Sequence, residues 1–221
     1  MDEAKCGNIR ALIFDLDGTL IDSKNDLIQS VNAMLRELGR GELAAETISG
    51  YIGDGAPKLV ARALGEGCTE KERQSALEFF LKHYETHKLD TTRAYAGVPE
   101  TLEEMRSWPM AVLTNKPVRI SVRILEGLGL ARYFKAIYGG NSFDTKKPDP
   151  WGARTIIREM RAVADQTMMV GDSDVDVKTA RNAGTMAAVV NYGFGAHDKR
   201  TCPADIYLEH FRELTTLLRR N

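Results

Sequence analysis

Two spacings of apolar residues alternate along the chain. Short unbroken runs occur at Ala11–Phe14, Met110–Leu113, Ala136–Tyr138, Met168–Val170, Met186–Val190 and Ile206–Leu208. Runs of this length, bounded by polar residues or glycine, read as strands of a sheet covered on both faces. Between most of them apolar residues recur every three or four positions, the spacing of a helix with one buried face. Pro99 opens such a stretch through Leu102 and Met105, and Pro117 opens another carrying Ile120, Ile124 and Leu128. Further helices are expected over 153–160 and over 174–183, the latter with Gly184 as its stop, and a last one carries Phe211, Leu214, Leu217 and Leu218. Strands alternating with helices predict an α/β fold, a Rossmann-like parallel sheet with helices on both faces.

One segment departs from this alternation. From about Asp22 to His87 the spacing is helical and no convincing strand appears. Ser23 is the expected N-cap of a helix through Leu27, Val31, Leu35 and Leu38, which Gly39 ends. Pro57 suits the first turn of a second helix with Leu59, Val60, Ala63 and Leu64. Thr69 and Glu72 match a capping box ahead of a third, through Ala76, Phe80, Leu81 and Tyr84. The expected division is an α/β core of residues 1–20 and 88–221 with an inserted α-helical unit of residues 21–87.

Composition narrows the class. At 221 residues, 43% apolar and 28% charged, the chain has the make-up of a soluble globular protein of one or two domains. Thirty basic residues against 31 acidic ones give a net charge of −1, so there is no bulk electrostatic case for nucleic acid. No apolar run approaches the ~20 residues a membrane span needs, and Met1-Asp2-Glu3-Ala4-Lys5 has the wrong charges for a secretory signal. Cys6, Cys68 and Cys202 are odd in number and far apart, which points to reduced thiols and not to a disulfide frame or zinc site. His83, His87, His197 and His210 have no ligand spacing. A cytoplasmic monomer or homodimer, with no membrane or nucleic-acid partner, is expected.

Candidate chemistry sits where the strands end. In open parallel sheets ligands gather at the carboxyl ends of the strands. The first run delivers Asp15 and Asp17, whose i, i+2 spacing puts both on one side of an extended chain. Gly18 then permits a sharp turn. Two acids facing one spot need a cation, a shared proton or divergent pKa values, and Mg²⁺ suits carboxylates together with phosphate oxygens. The second run delivers Thr114 and Asn115, whose hydroxyl and amide are suited to a phosphate oxygen. Lys147, within Lys147-Pro148-Asp149-Pro150, is a cation on a stiffened backbone. The fourth run ends at Gly171-Asp172-Ser173-Asp174-Val175-Asp176. Asp172 suits a metal ligand, Asp174 reads as a favourable acid in a first helical turn, and Asp176 fits either that role or the support of ligands around a metal. Gly53, Asp54, Gly55 and Ala56 form a loop that is a candidate contact for the rest of a substrate.

Asp15-Leu16-Asp17-Gly18-Thr19-Leu20-Ile21-Asp22-Ser23, Thr114, Lys147 in its proline-flanked turn and Gly171-Asp172 with Asp176 resemble, in order, the four motifs of the haloacid dehalogenase superfamily. The helical insert resembles the cap of that superfamily, and the stretches around Gly53, Thr114 and Gly139–Pro150 resemble bacterial phosphoglycolate phosphatases. The resemblance implies a Mg²⁺-dependent phosphatase acting on a small phosphorylated metabolite through an aspartyl-phosphate. It implies Asp15 as nucleophile, Asp17 as general acid and base, and a metal held by Asp15, the Asp17 carbonyl and Asp172. Thr114, Asn115 and Lys147 would receive the phosphoryl group. An acid at Asp17 favours a phosphate ester over a dehalogenation. A β-phosphoglucomutase-like mutase and a pyrophosphatase of the same superfamily stay open, and the intact acids argue against a non-catalytic phosphate-binding protein.

Overall fold

The computed structural model describes residues 8–219; Cys6 lies outside them. Every apolar run named above forms a strand. β1 (Ala11–Phe14), β4 (Met110–Leu113), β5 (Ala136–Tyr138), β6 (Thr167–Gly171), β7 (Met186–Val190) and β8 (Ile206–Leu208) make one parallel sheet in the order β5-β4-β1-β6-β7-β8. β1 is central and fully buried, its residues paired with Met110–Val112 on one side and Thr167–Val170 on the other. The period of two along β1 sorts its side chains between two cores. Leu12 and Phe14 face one, with Leu102 of α5 (Val98–Glu104), Ile120 and Ile124 of α6 (Val118–Gly127) and Leu214 of α9 (Glu213–Arg219). Ala11 and Ile13 face the other, with Ile156 of α7 (Trp151–Glu159) and Val177 of α8 (Asp174–Ala183). Phe211 is in the first core but precedes α9 and does not form part of it.

The segment between β1 and β4 holds α1 (Lys24–Glu37), α2 (Ala45–Ser49), α3 (Ala56–Leu64) and α4 (Glu70–His87). The Thr69–Glu72 capping box starts α4, Pro57 lies in the first turn of α3, and α1 packs along α4 through Val31, Met34, Phe80 and Tyr84. The expectation of helices alone from Asp22 onward needs one correction. Ile21–Asp22 is a short strand, β2, paired antiparallel with β3 (Arg93–Ala94), and the helices lie between them. Two residues per strand leave no periodicity to read in sequence. No helix among the described residues is long and apolar enough to cross a membrane.

Candidate active site

Because all six strands are parallel, Asp15, Thr114 and Asp172 leave one edge of the sheet side by side. The Asp15 amide still donates to the Val170 carbonyl at 2.9 Å, extending the ladder one residue past β1. The chain then turns, with the Leu20 and Ile21 amides donating to the Leu16 carbonyl at 3.0 and 3.1 Å. Gly18 has φ +81°, and a Cβ there would lie 1.8 Å from Asp172 Oδ2. Glycine at this turn therefore serves both conformation and close approach.

The widely separated acids do meet. Asp15, Asp172 and Asp176 each offer a carboxylate oxygen within 4.8 Å of the others. Lys147 Nζ lies 2.8 Å from Asp15 Oδ1 and 2.7 Å from Asp176 Oδ1. Asp176 Oδ2 accepts from the amides of Asp172 and Ser173 at 3.2 and 3.1 Å and from the Ser173 hydroxyl at 2.6 Å. Asp176 thus caps α8 and orients Lys147 and Asp172 with the same carboxylate. Asp172 Oδ2 in turn accepts from the Phe194 and Gly195 amides at 3.0 and 2.6 Å. Asp174 sits in the first turn of α8, its carboxylate turned to His197 and Lys178.

Asp17 stands outside that cluster. Both its oxygens lie 2.9 Å from Lys116 Nζ, and it accepts the Ser23 hydroxyl. Ser23 occupies the N-cap position of α1, yet its side chain makes no capping bond, its hydroxyl being donated to the Asp17 carboxylate instead. Lys116 is a second correction. It escaped notice in sequence because its partner lies 99 positions away, and its one signal was a place directly after Thr114-Asn115. The ammonium is buried 4.6 Å over the Tyr84 ring.

Thr114 is buried, its hydroxyl accepting from the Lys116 amide at 3.2 Å. Asn115 Nδ2 donates to the carbonyls of Gly53 and Lys147, both at 3.2 Å, and its Oδ1 is buried without a partner. This asparagine ties the core to the loop before α3. Gly53, Gly55 and Ala56 line the cleft above the acids, whereas Asp54 does not. The Asp54 carboxylate is engaged by Arg62 and Lys58, and only its carbonyl faces the core, accepting from Lys146 Nζ at 2.9 Å. The cleft encloses about 640 Å³, part of it open to solvent.

Burial dominates the electrostatics. It pushes Asp15 up to about 6 despite the opposing pull of Lys147, and Asp176 and Asp17 add to the rise. Burial and the charges of Asp176 and Asp15 raise Asp172 well above the ordinary carboxylate range. Burial alone would lower Lys147, but Asp15 and Asp176 outweigh it and hold the ammonium above its usual value. Three carboxylates around one ammonium leave excess negative charge in a desolvated place. A divalent cation with oxygen ligands fits this donor set, since it offsets both the burial and the mutual repulsion.

The family model of haloacid dehalogenase-like hydrolases matches residues 12–190. A phosphoglycolate phosphatase of Pseudomonas fluorescens (strain Pf0-1) is 40% identical over 193 residues, covering 84% of this chain and 70% of that one. One from Chromobacterium violaceum is 37% identical over 218 residues, with 96% and 97% covered. The crystal structure of a predicted phosphoglycolate phosphatase from Haemophilus somnus 129PT superposes with a TM-score of 0.90 at 28% identity, covering 95% of this chain and 98% of that one. An acid-bearing strand edge of this geometry, continuous with that match over most of its length, makes the chain a member of the haloacid dehalogenase-like hydrolase family.

Proposed function

We propose that the protein is a Mg²⁺-dependent phosphatase that hydrolyses a small phosphorylated metabolite, 2-phosphoglycolate first among them, through an aspartyl-phosphate on Asp15. The observation that carries this reading is Asp15 at the carboxyl end of the central strand, 2.8 Å from Lys147 and sharing a cluster with Asp172 and Asp176. The similarity to phosphoglycolate phosphatases supports the substrate.

Asp15 attacks phosphorus, forming the new P–O bond as the bond to the ester oxygen breaks. Asp17 gives its proton to the departing alkoxide, and later takes one from the water that attacks the aspartyl-phosphate. Lys147, the Thr114 hydroxyl and the backbone amide of Asn115 stabilise the oxygens of the transferring group, while the Asn115 side chain holds the Gly53 and Lys147 carbonyls. Asp15, the Asp17 carbonyl and Asp172 would hold Mg²⁺, and Asp176 fixes Asp172 by accepting from its amide. The ion when bound neutralises phosphoryl oxygen charge. Residues 21–87 act as a cap on a core of 1–20 and 88–221, its Gly53–Ala56 loop meeting the rest of the substrate.

Phosphate release from 2-phosphoglycolate, pyrophosphate and β-glucose 1-phosphate tests the reading. Release from 2-phosphoglycolate is expected to stop on chelation and return with Mg²⁺. Asp15→Asn is expected to lower turnover by at least ~10³-fold. Near-normal turnover in that variant removes the nucleophile assignment, and release from none of the three compounds removes the phosphatase.

A further inference from the structure

The Asp172 carboxylate is held by backbone donors, the Phe194 and Gly195 amides at 3.0 and 2.6 Å. Such donors are only as well placed as the loop that carries them. The next three residues of that loop fold over the first turn of α8 and meet a single acid there. The Asp174 amide donates to the Ala196 carbonyl at 2.9 Å. Asp174 Oδ1 lies 2.9 Å from His197 Nδ1 and accepts from the Asp198 amide at 3.1 Å. An ionised carboxylate only accepts, so Nδ1 carries the proton of that bond. The His197 side chain is 7% exposed, its Nε2 is buried without a partner, and its ring rests 5.7 Å from that of Tyr207 in β8. Lys178 also faces Asp174, but at 3.8 Å and more than half exposed, where water screens it.

Neither Asp174 nor His197 has a part in the proposed chemistry. We infer that the two form a latch that fastens the loop of residues 193–198 to the start of α8, which makes them positioning residues for Asp172 as a metal ligand. The inference rests on the metal-dependent phosphatase reading for the ion itself. Asp172 and Asp174 are two residues apart, and the loop grips them in turn, the first with the amides of 194 and 195, the second with residues 196 to 198. Two points of attachment fix the loop's orientation as well as its place. Released from Asp174, the loop could carry both amides away from Asp172. The acids of the empty site lie close enough to repel one another, so a carboxylate that loses its donors turns away and must be recovered when the ion binds.

Two substitutions at His197 separate the bond from the packing. His197→Asn keeps an N–H at the place of Nδ1 and gives up most of the ring, whereas His197→Phe keeps a ring and gives up the bond. Hydrogen exchange at the Phe194 and Gly195 amides of the metal-free protein, followed by NMR, reads the loop directly. Exchange is expected to quicken about tenfold in His197→Phe and in Asp174→Ala, and to stay within about threefold of the parent in His197→Asn. Calorimetric titration with Mg²⁺ should give the same order, its Kd rising about tenfold in the first two variants and holding in the third. Combining His197→Phe with Asp174→Ala should do no more than Asp174→Ala alone, because His197 acts through Asp174. The Asp174 side chain is 25% exposed, so Asp174→Ala keeps the test open should His197→Phe fail to fold. A role in packing alone predicts the opposite order, with His197→Asn the worse of the pair, and that result overturns the latch. Unchanged exchange at both amides in Asp174→Ala overturns it too. If the parent protein binds no Mg²⁺, the metal reading falls while amide exchange still decides the latch.

Discussion

Asp15 shares the Lys147 ammonium with Asp176, so the pull of Lys147 on Asp15 is opposed by the Asp176 charge as well as by burial. With burial the larger influence, the folded protein without metal keeps a proton on Asp15 up to about pH 6, whereas the unfolded chain releases it near 3.8. Between those values the native state binds more protons, so ionising Asp15 removes stability as pH rises, and above about 6 the loss is complete. Asp15→Asn cannot ionise. In chelator it should melt above the parent at pH 7.5, by a margin that shrinks toward pH 4.5, and Mg²⁺ should reverse the order. Thermal melts across that range check this; a pH-independent margin would contradict it. Ser23 supplies a second case. Its hydroxyl serves Asp17 and not the N-terminus of α1, so Ser23→Ala should lower kcat about three- to tenfold while costing the helix little. A melting temperature that drops while kcat holds would restore the capping role. Residues such as Asp15 and Asp172 were legible because a buried run pointing at an acid is a local pattern. Lys116 was not, because its partner Asp17 lies 99 positions away, and Ser23 reads as a cap because a serine ahead of a helical spacing carries that local signal whether or not a turn brings it back onto Asp17.

Elements were legible in proportion to how much apolar surface they bury. β1, β4, β5, β7 and β8 begin and end where the apolar runs do, and β1 and β4, buried at every residue, carry no polar side chain. α2 has five residues and buries Ile48 alone, and β2 and β3 have two residues each, so none leaves a periodic trace. The loop from Asn191 to Ala196 was silent for another reason. Its contribution is backbone, the Phe194 and Gly195 amides on Asp172, and backbone donors carry no side-chain signature. Gly193 makes the approach possible, for a Cβ there would sit 2.3 Å from Asp172 Cβ and 2.7 Å from the Gly18 carbonyl. Gly193→Ala should therefore displace Asp172 and raise the Mg²⁺ concentration for half-maximal activity about ten- to a hundredfold, the usual cost of disturbing groups behind a metal ligand. Metal titration followed by calorimetry measures it. An unaltered affinity would mean that the loop does not hold Asp172 in place.

At the scale of the whole molecule the question is what fastens the helical segment to the sheet, and two acids do so in unlike surroundings. Asp26 of α1 is 1% exposed and accepts from the amides and hydroxyls of both Thr91 and Thr92, at 2.6 to 3.1 Å, just ahead of β3. Glu85 of α4 instead meets Arg119 and Arg123 of α6 near the surface, where the arginine side chains are 67% and 51% exposed. Counting ion pairs would rank Glu85 first. Desolvation reverses that order: removing the Asp26 carboxylate strands several donors with no water to replace it, whereas the arginines freed from Glu85 are rehydrated at once. Asp26→Ala should cost about 3 kcal/mol, which for a chain of this size lowers Tm by roughly 6–12 °C. Glu85→Ala should leave Tm close to the parent value. Since both acids join the same two parts of the fold, calorimetry on the pair separates burial from charge as the source of the attachment, and a larger loss in Glu85→Ala would assign it to the surface ion pairs.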